Sequence, residues 1–476
     1  MASILAQASN LTDLPSLEID VSSISSHLFD LNALKREELQ NLAARFAIDD
    51  CFTLPDAELR RLLTQKAEEY RALKSEVDAI PDTMKRLSNL KAAAQDAIDR
   101  VDLEEVENLM AMVHEVELEE AAKSAEIRAD TALLRGKVED AYRYVCAAAD
   151  SFAAVDPIAP ALKRLDYFNT LYSHGLRYGS TGLVHAAQMI RDALDKLDKS
   201  AYPLPWSTGQ NMLAVTLAAQ ARRVEGAEGT ALLAQSVTAY HDVLEVLTRK
   251  DHAMSWAATQ NNLANALQDQ ANRSEGAEGA ALLAQSVTAY RNALEVYTRK
   301  DHPKDWAMTQ NNLGVSLRKQ STRIEGKEGA ALLTQSVTAY RSALEVRTRK
   351  DNPEDWAATQ INLGSALHTQ ALRSKGTEGA ELLTQAVTAY RNALEVLTRT
   401  DHPVQWAMTQ ENLAIVQTGI AIHDTCLDPR PPLIAALEAV DLALTVFDPV
   451  HMSFNHAKAI RVRNIIQAKL DALPPV

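Results

Sequence analysis

Between residues 204 and 450 the apolar positions fall in two kinds of block, and the pair of blocks returns every 50 residues. The unit from 301 to 350 shows both. In its first block, Trp306, Leu313 and Leu317 recur at helical spacing, and Leu313 and Leu317 are i, i+4 neighbours. The pattern predicts a helix over 305–323. It follows His302-Pro303, because the residue before a proline is steered away from helical backbone. Asp305 reads as its N-cap and Gly326 as its stop. In the second block, Leu332, Leu333, Val337, Tyr340, Leu344 and Val346 form a stripe flanked by small Ser336, Ala339 and Ala343. That pattern predicts a second helix over 328–349.

All five tryptophans, at 206, 256, 306, 356 and 406, keep the 50-residue interval. Their regular register points to a repeated packing position at the repeat junction rather than a ligand cage. No alternating stretch suggests a strand. The expectation is all-α: an α-solenoid of stacked helix pairs, each covering its neighbour's apolar face.

Leu313-Gly314 followed by Ser336, Tyr340 and Ala343 resembles the tetratricopeptide (TPR) signature, and Leu363-Gly364 with Ala386, Tyr390 and Ala393 resembles it more closely. The string DHPxxWAxTQNNLG is similar to the kinesin-light-chain class of TPR. Together with YxxALEVxTR it is similar to bacterial 50-residue TPR arrays found beside CHAT proteases and STAND ATPases; neither effector domain is visible here. The resemblance covers about residues 204–449. It implies a right-handed superhelix of antiparallel helix pairs. The repeat departs from the usual length of about 34 residues, so the ordinary superhelical pitch does not carry over.

The flanks are less regular. Residues 1–29 read as a tail. Residues 30–80 read as a helical hairpin or cap, with a faint resemblance to SAP and Rho-N-terminal modules but without their basic character. Residues 81–203 read as irregular TPR-like helix pairs, marked by Val106, Met110 and Val113, by Gly136, Ala141, Val145 and Ala148, and by Ala186, Ile190 and Ala193. Five repeats occupy 204–450. A capping helix follows in 451–476, with Lys458, Arg461, Arg463 and Lys469 keeping its outer face soluble.

Composition narrows the function. The chain has 476 residues and a net charge of −14, most of it before residue 200, so nucleic acid is not an expected partner. Cys51, Cys146 and Cys426 are isolated, which points to free thiols in a reducing compartment. No signal peptide and no long apolar run is apparent, so no membrane association and a cytoplasmic location are expected. Phosphate-loop, dinucleotide, zinc-protease and hydrolase motifs are missing, so no catalytic residue, metal or cofactor is expected. The glycine-rich 175–182 reads as an inter-helix loop. His252, His302 and His402 share a turn register one repeat apart, too far to share a metal. Glu228, Glu278, Glu328 and Glu378 read as first-turn acids favoured by the helix dipole.

The remaining candidate site comes from the resemblance, which implies that the first helix of each pair lines a concave groove. The groove positions are then Asn211, Asn261 and Asn311; Asn262, Asn312, Asn362 and Asn412; Asn265; and, deeper, Arg318, Lys319 and His368. An asparagine amide both donates and accepts, so a ladder of them could pair with an extended peptide backbone. The alternative is that they bond across neighbouring helices and set the repeat angle. The expected function is a non-catalytic scaffold or adaptor for a partner protein or peptide. Two alternatives stay open: a regulatory or sensor subunit of a caspase-like protease or STAND-type system, and a self-assembling protein whose exposed ends stack as a homo-oligomer.

Overall fold

The computed structural model describes residues 31, 34–46, 48, 51, 52, 54–100, 103–154 and 156–474. The expected tail, residues 1–29, lies outside them. The described residues are helical and hold no strand. They divide into two compact units that meet at residues 189 and 190.

The first unit holds α1 (Arg36–Arg45), α2 (Asp56–Asp99), α3 (Leu103–Leu134), α4 (Val138–Asp150), a 3₁₀ turn (Ser151–Ala154), α5 (Ala159–Asp166) and α6 (Phe168–Tyr178). The next helix, α7 (Ser180–Leu194), runs through the division. Leu39, Leu42 and Ala43 of α1 pack on Leu59, Leu62, Leu63 and Ala67 of α2. The 80/81 boundary read from sequence falls inside α2, which continues for 44 residues. That length needs support along its side, and α3 supplies it. The ion pairs Lys91–Glu117 (2.7 Å) and Arg100–Glu105 (2.6 Å) fix the two as an antiparallel hairpin.

The glycines of 175–182 do not form a loop of their own. Gly175 lies in α6 and Gly182 in α7, and the two backbones meet there. A Cβ on Gly182 would stand 2.7 Å from the Gly175 Cα. Only hydrogen at both positions allows this crossing.

In the second unit, five pairs follow one another: α8 (Pro203–Ala221) with α9 (Gly226–Val246), α10 (Ala253–Asn272) with α11 (Gly276–Leu294), α12 (Pro303–Ser321) with α13 (Gly326–Leu344), α14 (Pro353–Ala371) with α15 (Gly376–Leu394), and α16 (Pro403–Ala421) with α17 (Arg430–Leu444). A last helix, α18 (Ser453–Asp471), packs on α17. Each even-numbered helix from α8 to α16 is called an A helix below, and its partner a B helix.

The A and B helices meet closely for two repeated reasons. The buried Tyr340 ring lies on Gly314, where an added Cβ would stand 2.7 Å from it, and Tyr390 stacks on Gly364 in the same way. Beside the ring, the hydroxyls of Ser236, Ser286 and Ser336 each donate across the pair, to the carbonyls of Ala214, Ala264 and Gly314, at 2.7, 2.8 and 2.7 Å. Each bond satisfies a buried hydroxyl without a water.

Helix starts differ from the sequence reading. Asp305 sits in the first turn of α12; the cap position is His302, followed by Pro303 as the first helical residue. Proline is suited there because the first turn has no acceptor for its missing N–H. The turn before it is tied by Thr298, which donates to Asp301 Oδ2 at 2.7 Å and accepts from the Asp301 N–H at 3.0 Å. The same clasp recurs at Thr248, Thr348 and Thr398. Gly326 opens the B helix rather than stopping the A helix, with φ of +71°, a value that favours glycine.

Successive repeats are joined by an arginine that the motif reading did not single out. Arg323 donates to the Ala271 carbonyl at 2.6 Å and Arg373 to the Ser321 carbonyl at 2.7 Å, each reaching the free end of the preceding A helix. Arg273 does the same to the Ala221 carbonyl. These C-terminal carbonyls have no partner within their own helix. The arginine passes over the second glycine of the EGxEG loop: a Cβ on Gly229 or Gly279 would collide with the guanidinium.

The tryptophans are half-buried at the repeat junctions. Trp256 and Trp306 pack on Ala257, Ala293 and Tyr297, and Trp356 packs on Ala357, Ala393 and Leu397. Trp306→Ala is expected to cost about 2 kcal/mol, roughly half the loss for a fully buried ring; thermal denaturation checks it. Gly279→Ala is expected to destabilise by about 1–3 kcal/mol through the clash with Arg323. Pairing it with Arg323→Ala should give less than the sum of the two single losses in a double-mutant cycle.

Candidate functional site

The A helices form one continuous layer, because each touches the A helix of the next repeat directly: α8 on α10, α10 on α12, α12 on α14 and α14 on α16. Residues 50 apart therefore stand side by side, and each groove position read from sequence becomes a column across the layer.

The first column is largely consumed by the array itself. Asn261 is 5% exposed, and its Oδ1 accepts from the Thr309 hydroxyl of the next A helix at 3.3 Å. Asn211 is half-buried at the start of the column. Asn311 joins two neighbours: its Oδ1 accepts from Asn362 Nδ2 at 3.1 Å, and its Nδ2 donates to Asn312 Oδ1 at 3.2 Å. The column ends on Glu411, buried and paired with Lys458 of the capping helix at 2.8 Å. This ion pair substitutes for the amide contact that a further repeat would supply.

The second column, Asn262, Asn312, Asn362 and Asn412, is half-buried throughout. Asn312 and Asn362 each keep donor or acceptor capacity beyond the bonds just described, since an amide offers two donors and two lone pairs.

Deeper positions serve the tyrosines. Asn265 Oδ1 accepts from the Tyr290 hydroxyl at 2.6 Å, and Ser365 Oγ lies 2.9 Å from the Tyr390 hydroxyl. Between them the repeat carries Val315, and there the buried Tyr340 hydroxyl has no hydrogen-bond partner. Burial pushes that phenol up to about 12, opposed by the positive charge of Arg318.

The charged residues lie at the far end of the layer. Arg222 pairs with Asp269 at 2.8 Å, one repeat apart. Lys319 donates to Asn272 Oδ1 at 2.9 Å, and burial together with the adjacent Arg318 holds its ammonium below the usual lysine range. The Arg318 Nε is buried without a partner. Burial holds His368, one repeat on from Arg318, below the ordinary histidine value.

The structure thus brings Asn311, Asn312 and Asn362 into one hydrogen-bonded chain and sets Arg318 beside Lys319. It keeps Asn211 and Asn412 at opposite ends of the layer. Asn261, Asn311, Asn312 and Asn362 are bonded to neighbouring polar side chains, and the four asparagines of the second column remain half-buried. Among the described residues no cluster of histidine, cysteine or carboxylate groups could hold a metal, and no helix is long and apolar enough to cross a membrane.

No protein-family model matches the sequence, and no curated protein matches it. Among solved structures, the chain is similar to a circular tandem repeat protein with novel repeat topology, at 15% identity and a TM-score of 0.28, over 94% of this chain and 98% of that one. It is also similar to yeast Tom70, at 12% identity and a TM-score of 0.28, over 94% of this chain and 92% of Tom70. Likenesses this distant carry no argument about function, and the α-solenoid assignment stands on the helix pairing itself.

His368 gives the layer a pH dependence whose sign is fixed. Its pKa lies below the ordinary 6.5 when folded, so the unfolded chain takes up the proton first. Stability is fully present above pH 6.5 and falls as the pH drops below it. His368→Gln, which keeps a polar side chain but does not titrate, is expected to reduce that loss when denaturant midpoints at pH 7 and pH 5 are compared.

Proposed function

We propose that residues 204–450 form a non-catalytic, TPR-type scaffold of the 50-residue class that acts as a cytoplasmic adaptor and binds an extended segment of a partner protein along the A-helix layer. The observation that carries this reading is the second asparagine column. Four amides in one register, half-exposed and one repeat apart, offer repeated donor and acceptor pairs of the kind an extended backbone requires. Asn312 and Asn362 keep donor or acceptor capacity beyond their bonds to Asn311. Direct contact between successive A helices supports the reading, because it draws that layer together into one continuous surface. Arg318 and Lys319 at the far end of the layer add positive charge that favours an acidic residue of the partner.

The test places a photo-crosslinking residue at position 312 and captures partners from the native host extract. The expected result is a covalent adduct to one protein. The adduct should be lost in Asn262→Ala/Asn362→Ala/Asn412→Ala at unchanged helicity, with at least a tenfold fall in affinity for the crosslinked segment. An adduct equally abundant in the triple variant would remove the asparagine column from recognition.

A further inference from the structure

The first unit contains a cavity of about 220 Å³ that the scaffold reading does not use. It lies between α2, the C-terminal turn of α3 and α6. Ala72, Leu133 and Leu134 give it an apolar floor. Most of its polar lining comes from α6, where Asn169, Thr170, Ser173, His174 and Arg177 share one helix face at steps of three and four residues.

The ionic groups around the cavity are already matched. Lys66 has no exposed surface, and its Nζ stands 3.3 Å from Glu69 Oε2. The other oxygen of Glu69 accepts from Arg177 at 2.8 Å and from the Tyr178 hydroxyl at 3.1 Å. Glu69 thereby holds two cations in place. Asp130, the other carboxylate of the lining, is engaged in an interaction of its own. Lys66 and Arg177 stand against Glu69 and Asp130, so neither sign of charge is in excess. A ligand with a net charge would carry it unbalanced into a partly buried place, at a cost.

What the cavity leaves open is hydrogen-bonding capacity of both kinds. His174 Nδ1 is buried and has no hydrogen-bond partner. Burial and the nearby Lys66 charge hold this imidazole down to about 4, so it is neutral at physiological pH. The Leu133 carbonyl acts on the ring as an acceptor, which puts the single ring proton on Nε2 and leaves Nδ1 as an acceptor. A buried acceptor without a donor costs free energy until a ligand or water supplies one. Arg177 has the opposite need. Glu69 takes one of its terminal nitrogens, and the half-exposed guanidinium carries further N–H donors. The hydroxyls of Thr170 and Ser173 and the amide of Asn169 both donate and accept.

We propose that this cavity binds a neutral cyclic polyol, a monosaccharide or an inositol, with one ligand hydroxyl donating to His174 Nδ1 and others accepting from Arg177 and pairing with Ser173 and Asn169. Each hydroxyl donates and accepts at once, so a ring of them meets this mixed lining without bringing charge. The C–H face of the same ring covers Ala72, Leu133 and Leu134. A carboxylate or inorganic anion has no proton to give Nδ1. Among the described residues no phenylalanine, tyrosine or tryptophan lines the cavity to stack on a flat base. The volume is below the range of about 300–1,000 Å³ typical of drug-sized ligands, and suits roughly twelve non-hydrogen atoms, the size of a hexose.

The test is calorimetric titration of the full chain with the common aldopentoses, aldohexoses and inositols, each sugar that binds being compared with its uronic acid, its amino sugar and its singly deoxygenated forms. At least one neutral polyol is expected to bind with Kd below about 1 mM. Its uronic acid, its amino sugar and at least one deoxy form should bind at least tenfold more weakly. His174→Phe and, separately, Asn169→Ala/Ser173→Ala should each weaken binding at least tenfold while the melting curve stays cooperative. Should His174→Phe fail to fold, the double variant on the outer face of α6 decides. No binding by any polyol overturns the proposal. So does equal or tighter binding of the uronic acid or amino sugar, or binding unchanged in the double variant. Because all these residues lie in the first unit, loss of this site leaves crosslinking at position 312 unaffected.

Discussion

The second unit depends on how closely its A and B helices approach. Tyr340 lies on α12 over residue 314, which has no side chain, and Ser336 reaches the Gly314 carbonyl beside it. The ring excludes water from the bond and the bond fixes the ring's height. Ala214 and Ala264 serve the same purpose as Gly314 and Gly364 with one extra methyl, which sets the limit on what the position tolerates. Repetition of the serine contact gives the first three pairs nearly the same geometry.

Equal pairs then meet at equal intervals, and that makes a continuous layer from local parts. A side chain on one A helix finds its partner about 50 residues away on the next, as in Asn362 with Asn311, Thr309 with Asn261 and Arg222 with Asp269. The arginine that crosses each glycine adds a bond to the open carbonyl end of the preceding helix. Each of these is modest alone. Together they couple neighbours, so that a repeat is stable chiefly in the company of others. In the last repeat Glu411 stands in this column, and its Oε2 accepts from Lys458 of the following helix.

The first unit is built by other means. Its long hairpin of α2 and α3 is tied by ion pairs along its length, and its helices cross at Gly175 and Gly182 where no side chain intervenes. A cavity in it is lined by residues between 69 and 177, from three helices. No short motif joins them, and each taken alone reads as ordinary helix composition.

The sequence alone determined the repeating architecture, because a strict 50-residue period of helical stripes admits only stacked helix pairs. It also gave each helix pair its small and large positions, such as Gly314, Ser336 and Tyr340, at fixed offsets that return with the repeat. Three things were decided by the tertiary structure. Which asparagine amides are buried depends on the rotation of each A helix against the next, and a single residue separates buried Asn261 from half-exposed Asn262. The glycine of the EGxEG loop proved to be a passage for an arginine 44 residues later, a contact with no local signature. The cavity of the first unit arises where three helices cross, and crossing points follow from packing rather than from periodicity.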